Sequence, residues 1–584
     1  MEIGPMPWSR IALIGEEIGT PRKHIGSCAI MSVGRMRQVS SILRSASIGP
    51  YRGHQHNSDH AEHADEMASN DHLLDTIPRG VARRGGEALT LEDQAMPRAA
   101  FMDTGAIAAS RTLRHDGSKV FLGVVGGTIE WRPSKHGSEP HVLGGVPIGI
   151  GDDRHLATIA NSRSGKGRSA IIPTLLTYRG AVLQIDPKGE LASITARARY
   201  ERLGHRVLAL DPFKVAKGYA AKIRARFNPM TILKPDSPTL IEDAGLIADA
   251  IVVPAEGSKD PHWDESARNF IEGIVLHVAT CPLYEGRRHL GTVRDLLAFR
   301  NDAIAGSKKS KAADRLRAEM EANDAANGLV IDAAVDFFDK PDDERGSVLS
   351  TARRHVRFLS YPAIRESLEG HDFDLTDLKQ TKLTVYLCLP AMRLGTCSRW
   401  LRLFVNLALA QFEADATKPE LPVLMCLDEF AVLGKVRSIE DAAGQIAGFG
   451  VKLWPILQDL GQLKSLYAER WQTFLGNAGV IQVFAVSDAF TLDYVSKRLG
   501  TTSLIVRNKS ETSDQDQTRT DRRGLSWQVQ TQPLMTPEEI ARFFGRDDAQ
   551  CRQLVIWAGY DPLILARAKY DSHDLFAGAF DALP

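Results

Sequence analysis

The strongest chemical signal in this sequence is a loop of small and basic residues around Lys166. An apolar segment, residues 155–159, precedes the loop, and a helical pattern begins close behind it. A strand, a small-residue loop and a helix start are the context in which backbone N–H groups and a lysine hold phosphate. We predict that the loop binds the phosphates of a nucleotide through Asn161, Ser162, Arg163, Ser164, Gly165, Lys166, Gly167 and Arg168.

The loop departs from the usual phosphate-loop consensus at both ends. Ala160 stands where the consensus has glycine, and Gly167 replaces the Ser or Thr hydroxyl that normally binds Mg²⁺. Ser169 offers a hydroxyl nearby, but it is out of register. We therefore expect Mg²⁺ to be held by water, by phosphate oxygens and by acids from another strand.

Polar residues also follow two further apolar strands. Asp428 and Glu429 end the run at residues 423–427, and Gln458 ends the run at residues 452–457. In phosphate-loop enzymes an acid such as Asp428 holds Mg²⁺, a second acid such as Glu429 polarises the attacking water, and a glutamine holds that water or senses the γ-phosphate. Each of these signals is common by chance. Together with the loop they favour an ATP-hydrolysing site with Asp428, Glu429 and Gln458 as catalytic residues.

These groups need a sheet to bring them together. Apolar strands and helical patterns alternate from about residue 119 to 255, and strands return after about residue 370, which indicates an α/β fold with a mainly parallel sheet. Lys166 and Asp428 are 428 − 166 = 262 residues apart, more than one compact nucleotide-binding sheet requires. We therefore predict that residues 256–370 are an inserted all-α domain, and that residues 101–255 and 371–570 form the nucleotide-binding domain.

Composition narrows the function classes. Lys plus Arg and Asp plus Glu both number 72, so any contact with nucleic acid must come from local patches, such as the basic stretches at residues 308–311 and 353–357. The 6 cysteines lack C-x-x-C spacing, which argues against a disulfide framework or a zinc site. No apolar run reaches the ~20 residues of a membrane helix. Residues 1–100 are predicted to be disordered, because they include the polar stretch at residues 54–72, which has no apolar period.

Three local patterns carry more specific predictions. Asp186 ends another strand and either orders the nucleotide pocket or closes a turn, and the two interpretations are about equally good. The polar residues 508–523 are interpreted as a surface loop. Thr536 is predicted to cap a helix, with proline in the first turn and Glu539 closing a capping box.

From about residue 119 to 570 these motifs resemble those of the TraG-like coupling proteins of conjugative type IV secretion. The loop at residues 162–167 looks like the family's phosphate loop, including the glycine after the lysine. Further segments are similar to family markers in the same order: residues 183–191, 227–229, 262–267, 344–347, 427–434 and 457–463.

The resemblance implies a RecA-like P-loop NTPase domain with an all-α domain, an ATPase that uses ATP and Mg²⁺, and a homo-oligomeric ring, usually a hexamer. It implies recruitment of relaxase-bound single-stranded DNA, or of effector proteins, to the type IV secretion channel. Family members usually carry N-terminal membrane helices and this sequence shows none, so we expect a peripheral location at the cytoplasmic face of the bacterial inner membrane. Some relatives also place an arginine after the acid pair, where this sequence has residues 445–448 instead.

Two other functions stay open from the sequence alone. A recruitment adaptor that binds nucleotide with little hydrolysis fits the missing Mg²⁺ hydroxyl at Gly167. An FtsK-like DNA-pumping ATPase outside secretion fits the motor chemistry, although the helical block and the family-like segments favour a coupling protein.

Overall fold

The computed structural model describes residues 98–134, 137–254, 261–299, 309–442, 444–511 and 523–583. The prediction of disorder for residues 1–100 falls almost wholly outside these residues, and the basic stretch at 308–311 falls outside the described side chains. Among the described helices, none combines the length and the apolar character needed to span a membrane.

The described residues form 15 strands. They are β1 (Val120–Val125), β2 (Thr128–Ser134), β3 (Gly137–Leu143), β4 (Val146–Ile150), β5 (His155–Ala160), β6 (Val182–Asp186), β7 (Arg206–Leu210), β8 (Leu383–Cys388), β9 (Val423–Leu427), β10 (Val451–Leu457), β11 (Ala478–Phe484), β12 (Thr501–Glu511), β13 (Arg523–Pro533), β14 (Arg552–Trp557) and β15 (Leu563–Ala566).

The α-helices of the described residues follow in the same order. They are α1 (Thr104–Ala109), α2 (Ile172–Thr177), α3 (Glu190–Glu201), α4 (Leu240–Ile251), α5 (His262–Thr280), α6 (Leu290–Leu297), α7 (Lys309–Glu321), α8 (Leu329–Phe338), α9 (Asp342–His355), α10 (Pro362–Glu369), α11 (Asp377–Gln380), α12 (Leu394–Ala414), α13 (Arg437–Ala442), α14 (Leu460–Tyr467), α15 (Trp471–Gly476), α16 (Ala489–Leu499) and α17 (Pro537–Phe543).

One large sheet organises the described residues. It has 11 strands in the order β4-β1-β15-β14-β11-β5-β10-β9-β6-β8-β7. The strands from β11 to β7 run parallel to their neighbours, whereas β4, β1, β15 and β14 form an antiparallel extension beside β11. The predicted α/β fold with a mainly parallel sheet is confirmed. The hairpins β2–β3 and β12–β13 are separate two-stranded sheets.

The central strands are continuous apolar runs because both faces of the sheet are covered. Every residue of β5, β9 and β10 is buried. Side chains alternate between the faces of a strand, so Ile159 packs into one core together with helices α4 and α12, and Leu156 packs into another together with α2 and α3. Burial on both faces holds these strands in place, and with them the polar residues that follow their last residues.

The segment between β7 and β8 is helical in the part that the structure describes, from α4 to α11. Its longest helix, α5, contacts α8 and α9, and its apolar residues belong to the same core as one face of the sheet. Helices α5 to α10 lie within residues 256–370, where an inserted all-α domain is predicted, whereas α4 and α11 lie just outside this interval. The boundaries of that domain stay a prediction.

The C-terminal third contains one wrong local prediction and one confirmed prediction. Residues 508–511 and 523, interpreted as part of a surface loop, belong instead to β12 and β13, because these two strands pair with each other beyond their apolar parts. Residues 512–522 lie outside the described residues. The capping box is confirmed, since the Thr536 hydroxyl accepts from the backbone of Glu539 and the Glu539 carboxylate accepts from the backbone of Thr536.

Candidate nucleotide site

The order of the strands brings the predicted site residues to one edge of the sheet. Strand β10 lies between β5, which leads into the loop, and β9, which leads into the acid pair. All three strands are parallel, so their carboxyl ends meet at the same edge. Gln458, at the end of β10, therefore stands between the loop on one side and Asp428 and Glu429 on the other.

Two residues of the loop have left-handed backbone conformations. Arg163 has a φ of 59° and Gly165 has a φ of 86°, both in the left-handed region. A Cβ atom built on Gly165 or on Gly167 would meet nothing within 4 Å. Successive backbone N–H groups in such a concave turn form a cradle for anions, and the space beside these glycines leaves room for one.

Lys166 contacts both acids across the strand ends. Its Nζ donates to Oε1 of Glu429 at 2.9 Å and lies 3.2 Å from Oδ1 of Asp428. The side chains of these residues are mostly buried, with exposed fractions of 13% for Lys166, 13% for Asp428 and 28% for Glu429. One cation is thus shared between two carboxylates inside a largely desolvated edge of the sheet.

Gln458 joins the acid pair to the loop. Its Nε2 donates to Oε2 of Glu429 at 2.9 Å, and its Oε1 accepts from the Ser162 hydroxyl at 3.1 Å. Its backbone N–H donates to the Gln462 side chain at 3.3 Å. The amide of Gln458 therefore has a defined orientation, with its donor group towards Glu429 and its acceptor towards Ser162.

The pKa values of the two acids shift in opposite directions, although both carboxylates contact Lys166. Burial opposes ionisation of Glu429, but the charge of Lys166 and the bonds from Lys166 and Gln458 together hold the pKa of Glu429 below its ordinary value. Burial and the neighbouring Glu429 charge raise the pKa of Asp428, although Lys166 acts against them. Burial likewise opposes the charge on Lys166, and the two carboxylates outweigh it and raise the pKa of Lys166. Glu429 is therefore the more firmly ionised acid.

Glu429 also has a strained backbone. Its φ of 53° and ψ of 46° are left-handed, which side-chain-bearing residues rarely adopt. Its N–H donates to Oδ1 of Asp428 at 3.0 Å, which holds the two acids in a fixed relation. Strain of this kind costs about 1–3 kcal/mol and concentrates at functional sites.

The other predicted loop residues contact the surrounding protein. The Asn161 amide donates to the Ser487 hydroxyl at 2.9 Å, and Ser164 is buried. Gly167 starts a π-helical turn, Gly167–Ile171, that leads into α2. The guanidinium of Arg168 pairs with Glu139 on β3 at 2.9 Å and with Asp571 at 2.7 Å. Arg168 thus anchors the start of this helix to a hairpin and to the C-terminal segment.

The acid pair fits Mg²⁺ only together with a nucleotide. The Ser169 hydroxyl, weighed above as a substitute ligand, donates to the Gly165 carbonyl at 3.0 Å. Among the described residues there is no group of three or more His, Cys, Asp or Glu side chains that could hold a metal ion by itself. Mg²⁺ is usually bound by one or two carboxylates plus phosphate oxygens and water. The carboxylate of Asp428, the predicted ligand, would be the protein's contribution to such a set.

Asp186 and the basic stretch at residues 353–357 both form contacts within the protein. The fully buried Asp186 carboxylate accepts from the backbone of Ala192 at 2.9 Å and of Lys188 at 3.3 Å, so it stabilises the turn that starts α3. In the basic stretch at 353–357, Arg353 donates to the Leu297 carbonyl and Arg354 pairs with Asp264, each at 2.8 Å. Both arginines therefore have partners within the chain.

One residue that the sequence did not predict contacts the loop from behind. Arg567, just after β15, donates from Nη1 to the Ser164 carbonyl at 3.0 Å and is only 6% exposed. Arg567 lies between the apolar Ala566 and the buried Ala568. An arginine in such a position is rarely buried unless hydrogen-bond or charge partners surround it. Nothing in the local sequence pairs it with a loop 403 residues away.

Comparison with known proteins identifies the family of this chain. The family model described as type IV secretory system conjugative DNA transfer matches residues 113–578. The conjugal transfer protein TraG of Escherichia coli is 26% identical over 458 residues, which cover 74% of this chain and 69% of TraG.

Solved structures show the same fold. The plasmid coupling protein TrwB in complex with a non-hydrolysable ATP analogue matches with a TM-score of 0.55 at 16% identity, over 83% of this chain and 96% of TrwB. TrwB in complex with ADP and Mg²⁺ matches with a TM-score of 0.52 at 16% identity, over 77% of this chain and 96% of TrwB. The family match, the fold shared with TrwB and the convergence of the loop, the acid pair and the glutamine agree, and the chain belongs to the type IV secretory system conjugative DNA transfer family.

Proposed function

We propose that this protein is a coupling ATPase of a type IV secretion system, which uses ATP and Mg²⁺ to deliver substrates to the conjugative transfer channel. The observation that carries the proposal is the placement of Lys166 against Asp428 and Glu429, with Gln458 bonded to both Glu429 and the loop. TrwB, which shares the fold, is a coupling protein solved with an ATP analogue and with ADP and Mg²⁺.

Nucleotide binding begins with an exchange of partners at Lys166. The Nζ of Lys166 leaves the carboxylates for the triphosphate, whose charge replaces theirs, while the loop N–H groups hold the remaining phosphate oxygens. Asp428 is the residue that would hold Mg²⁺, which neutralises charge on the phosphates. Asp428 would thereby gain a positive neighbour in place of Lys166, and Glu429 keeps the hydrogen bond from the Gln458 amide.

Hydrolysis depends on Glu429 and Gln458. Glu429, held by its strained backbone and by the hydrogen bond from Gln458, accepts hydrogen bonds from the attacking water and polarises it towards the γ-phosphate. Gln458 orients the Glu429 carboxylate and contacts the loop through Ser162, so it senses whether the loop holds a γ-phosphate. The roles assigned to Asn161, Ser164, Gly165 and the other loop residues belong to the same proposal.

The larger assembly follows from family membership. We place the protein at the cytoplasmic face of the bacterial inner membrane, as a homo-oligomeric ring, a hexamer, that receives relaxase-bound single-stranded DNA or effector proteins. Residues 101–255 and 371–570 form the RecA-like motor, and residues 256–370 form the all-α domain. Helices α5, α8 and α9 pack together within that domain, which supports treating it as one unit.

A mating assay tests the proposal. A strain that lacks its own copy of this protein is complemented with the parent chain, with Lys166→Ala or with Glu429→Gln. We expect the parent to restore DNA transfer and both variants to reduce it at least a hundredfold, because each removes a group that nucleotide turnover requires. Transfer at the parental frequency with Lys166→Ala would overturn the proposal.

A nucleotide-binding adaptor with little hydrolysis is the second candidate. Gly167 favours it, since the loop lacks the hydroxyl that usually binds Mg²⁺. Glu429→Gln separates the two candidates, because it keeps the size of the side chain and removes its negative charge. An adaptor predicts normal transfer by a Glu429→Gln protein that still binds nucleotide, whereas a motor predicts a binding-competent protein that is inactive in transfer.

A further inference from the structure

Arg567 is a buried cation with uncharged partners. Its guanidinium donates to the carbonyl oxygens of Ser164 at 3.0 Å, Cys551 at 3.3 Å, Arg546 at 3.3 Å and Gly545 at 3.4 Å. Within the described part of the chain it forms hydrogen bonds to these carbonyls and no ion pair with a carboxylate. The guanidinium also lies 5.1 Å from the ring centroid of Phe484 at the end of β11.

The bond to Ser164 fixes the direction of a peptide group in the loop. In a trans peptide the C=O and the following N–H point in opposite directions. Because the Ser164 carbonyl points towards Arg567, the N–H of Gly165 points away from Arg567. A Cβ atom built on Gly165 would meet nothing within 4 Å, so the loop has free space beside this residue. Arg567 thereby turns one donor of the loop towards the place where an anion would bind.

Such a cation is costly unless an anion is bound nearby. Moving a charge out of water is unfavourable, and carbonyl dipoles compensate for it less than a carboxylate does. Burial accordingly lowers the pKa of Arg567, with only smaller opposing effects from charged neighbours. Arg199 is also buried and bonded to carbonyls, but these are the carbonyls of Leu175, Tyr178 and Gly180 behind α2, away from the loop.

We propose that Arg567 is a positioning residue for the phosphates: it aims the Ser164–Gly165 peptide and adds a positive charge behind the loop. Its contribution to affinity therefore increases with the negative charge of the ligand. This inference rests on the nucleotide site proposed above, although it can fail separately from it. Arg567 itself touches only the protein.

Calorimetric titration of the full chain with three ligands tests this role. The ligands are a non-hydrolysable ATP analogue, ADP and adenosine, and the variants are Arg567→Gln, Arg567→Lys and, as a matched control, Arg199→Lys. We expect Arg567→Gln to weaken the ATP analogue on the order of tenfold, ADP less, and adenosine not at all. Arg567→Lys keeps the charge and should recover most of the loss, and the control should bind all three ligands as the parent does.

The other outcomes contradict the role. Equal weakening of all three ligands, or a lysine variant as weak as the glutamine variant, would show that Arg567 only supports the fold. Circular dichroism and thermal unfolding check that each variant folds. If Arg567→Gln does not fold, Arg567→Lys is the test: any loss of affinity should be largest for the ATP analogue, smaller for ADP and absent for adenosine, and an equal loss for all three would contradict the role. If Lys166→Ala binds the ATP analogue as the parent does, the nucleotide site itself is wrong. If only the Arg567 variants bind normally, this inference alone fails.

Discussion

Two polar clusters on the same sheet are built in opposite ways. The site cluster, consisting of Lys166, Asp428, Glu429 and Gln458, pairs opposite charges at the carboxyl edge of the sheet. The arginine cluster, consisting of Arg199, His205 and Thr384, is fully buried and surrounds one cation with neutral groups. Burial and Arg199 lower the pKa of His205 to about 3, so its imidazole stays neutral.

The difference separates binding chemistry from structural support. The donors of the arginine cluster are bonded to fixed carbonyls and hydroxyls, and no ligand could replace these partners without unfolding the region. Under the function proposed above, two charges of the site cluster would exchange their partner for a ligand charge of the same sign: phosphate would replace a carboxylate at Lys166, and Mg²⁺ would replace the ammonium at Asp428. Such an exchange conserves the electrostatic balance at these two residues, and Glu429 keeps its hydrogen bond from Gln458.

Removing the cation of the site cluster should produce the largest effect. Lys166→Ala removes the charged donor to the phosphates and leaves Asp428 and Glu429 facing each other without a shared cation. We expect affinity for an ATP analogue to fall on the order of a hundredfold or more, while the protein remains folded. Fluorescence titration with a labelled nucleotide measures it, and the exposed Lys464→Ala is the control. A change below threefold would contradict the assigned role of Lys166.

A substitution in the arginine cluster should lower the stability of the protein and leave its nucleotide affinity unchanged. Arg199→Gln leaves several buried carbonyls without a donor, so we expect the free energy of unfolding to fall by about 3 kcal/mol. Urea denaturation measures this loss, with Arg206→Gln as the control, since the half-exposed pair of Arg206 with Asp377 contributes little. Nucleotide affinity per folded molecule should stay at the parental value. A tenfold loss of affinity in folded Arg199→Gln would erase the distinction between the clusters.

The smallest predicted effect concerns the link between the loop and the glutamine. Ser162→Ala removes the hydroxyl that donates to Gln458 and frees the amide to rotate away from Glu429. Since one such bond contributes about 1 kcal/mol, kcat should fall about fivefold while the KM for ATP changes little. Ser162→Thr keeps a hydroxyl and should retain most of the parental rate. A fall confined to KM would mean that Ser162 acts on nucleotide binding alone.

Much of the site was predictable because its signals are local. The loop around Lys166, the acid pair and Gln458 each follow an apolar strand, and parallel strands place their ends together. The same local reasoning could not choose between two roles for Asp186, since backbone partners such as Ala192 become visible only when α3 is packed.

What escaped prediction depends on pairing across the chain. The ends of β12 and β13 have polar sequences and become strands because they pair with each other. Arg567 reaches the loop from 403 residues away, and the partners of Arg168 come from β3 and from the C-terminal segment. Local periodicity carries no record of such contacts.

Steady-state ATP hydrolysis by the purified chain, with and without single-stranded DNA, tests the central claim most directly. The comparison is between the parent and Glu429→Gln, with Glu440→Gln, a carboxylate paired with Arg470 away from the site, as the matched control. The account predicts DNA-stimulated turnover in the parent and in the control, and a loss on the order of a hundredfold or more in Glu429→Gln with nucleotide binding retained. Parental turnover in a folded Glu429→Gln protein would contradict the account.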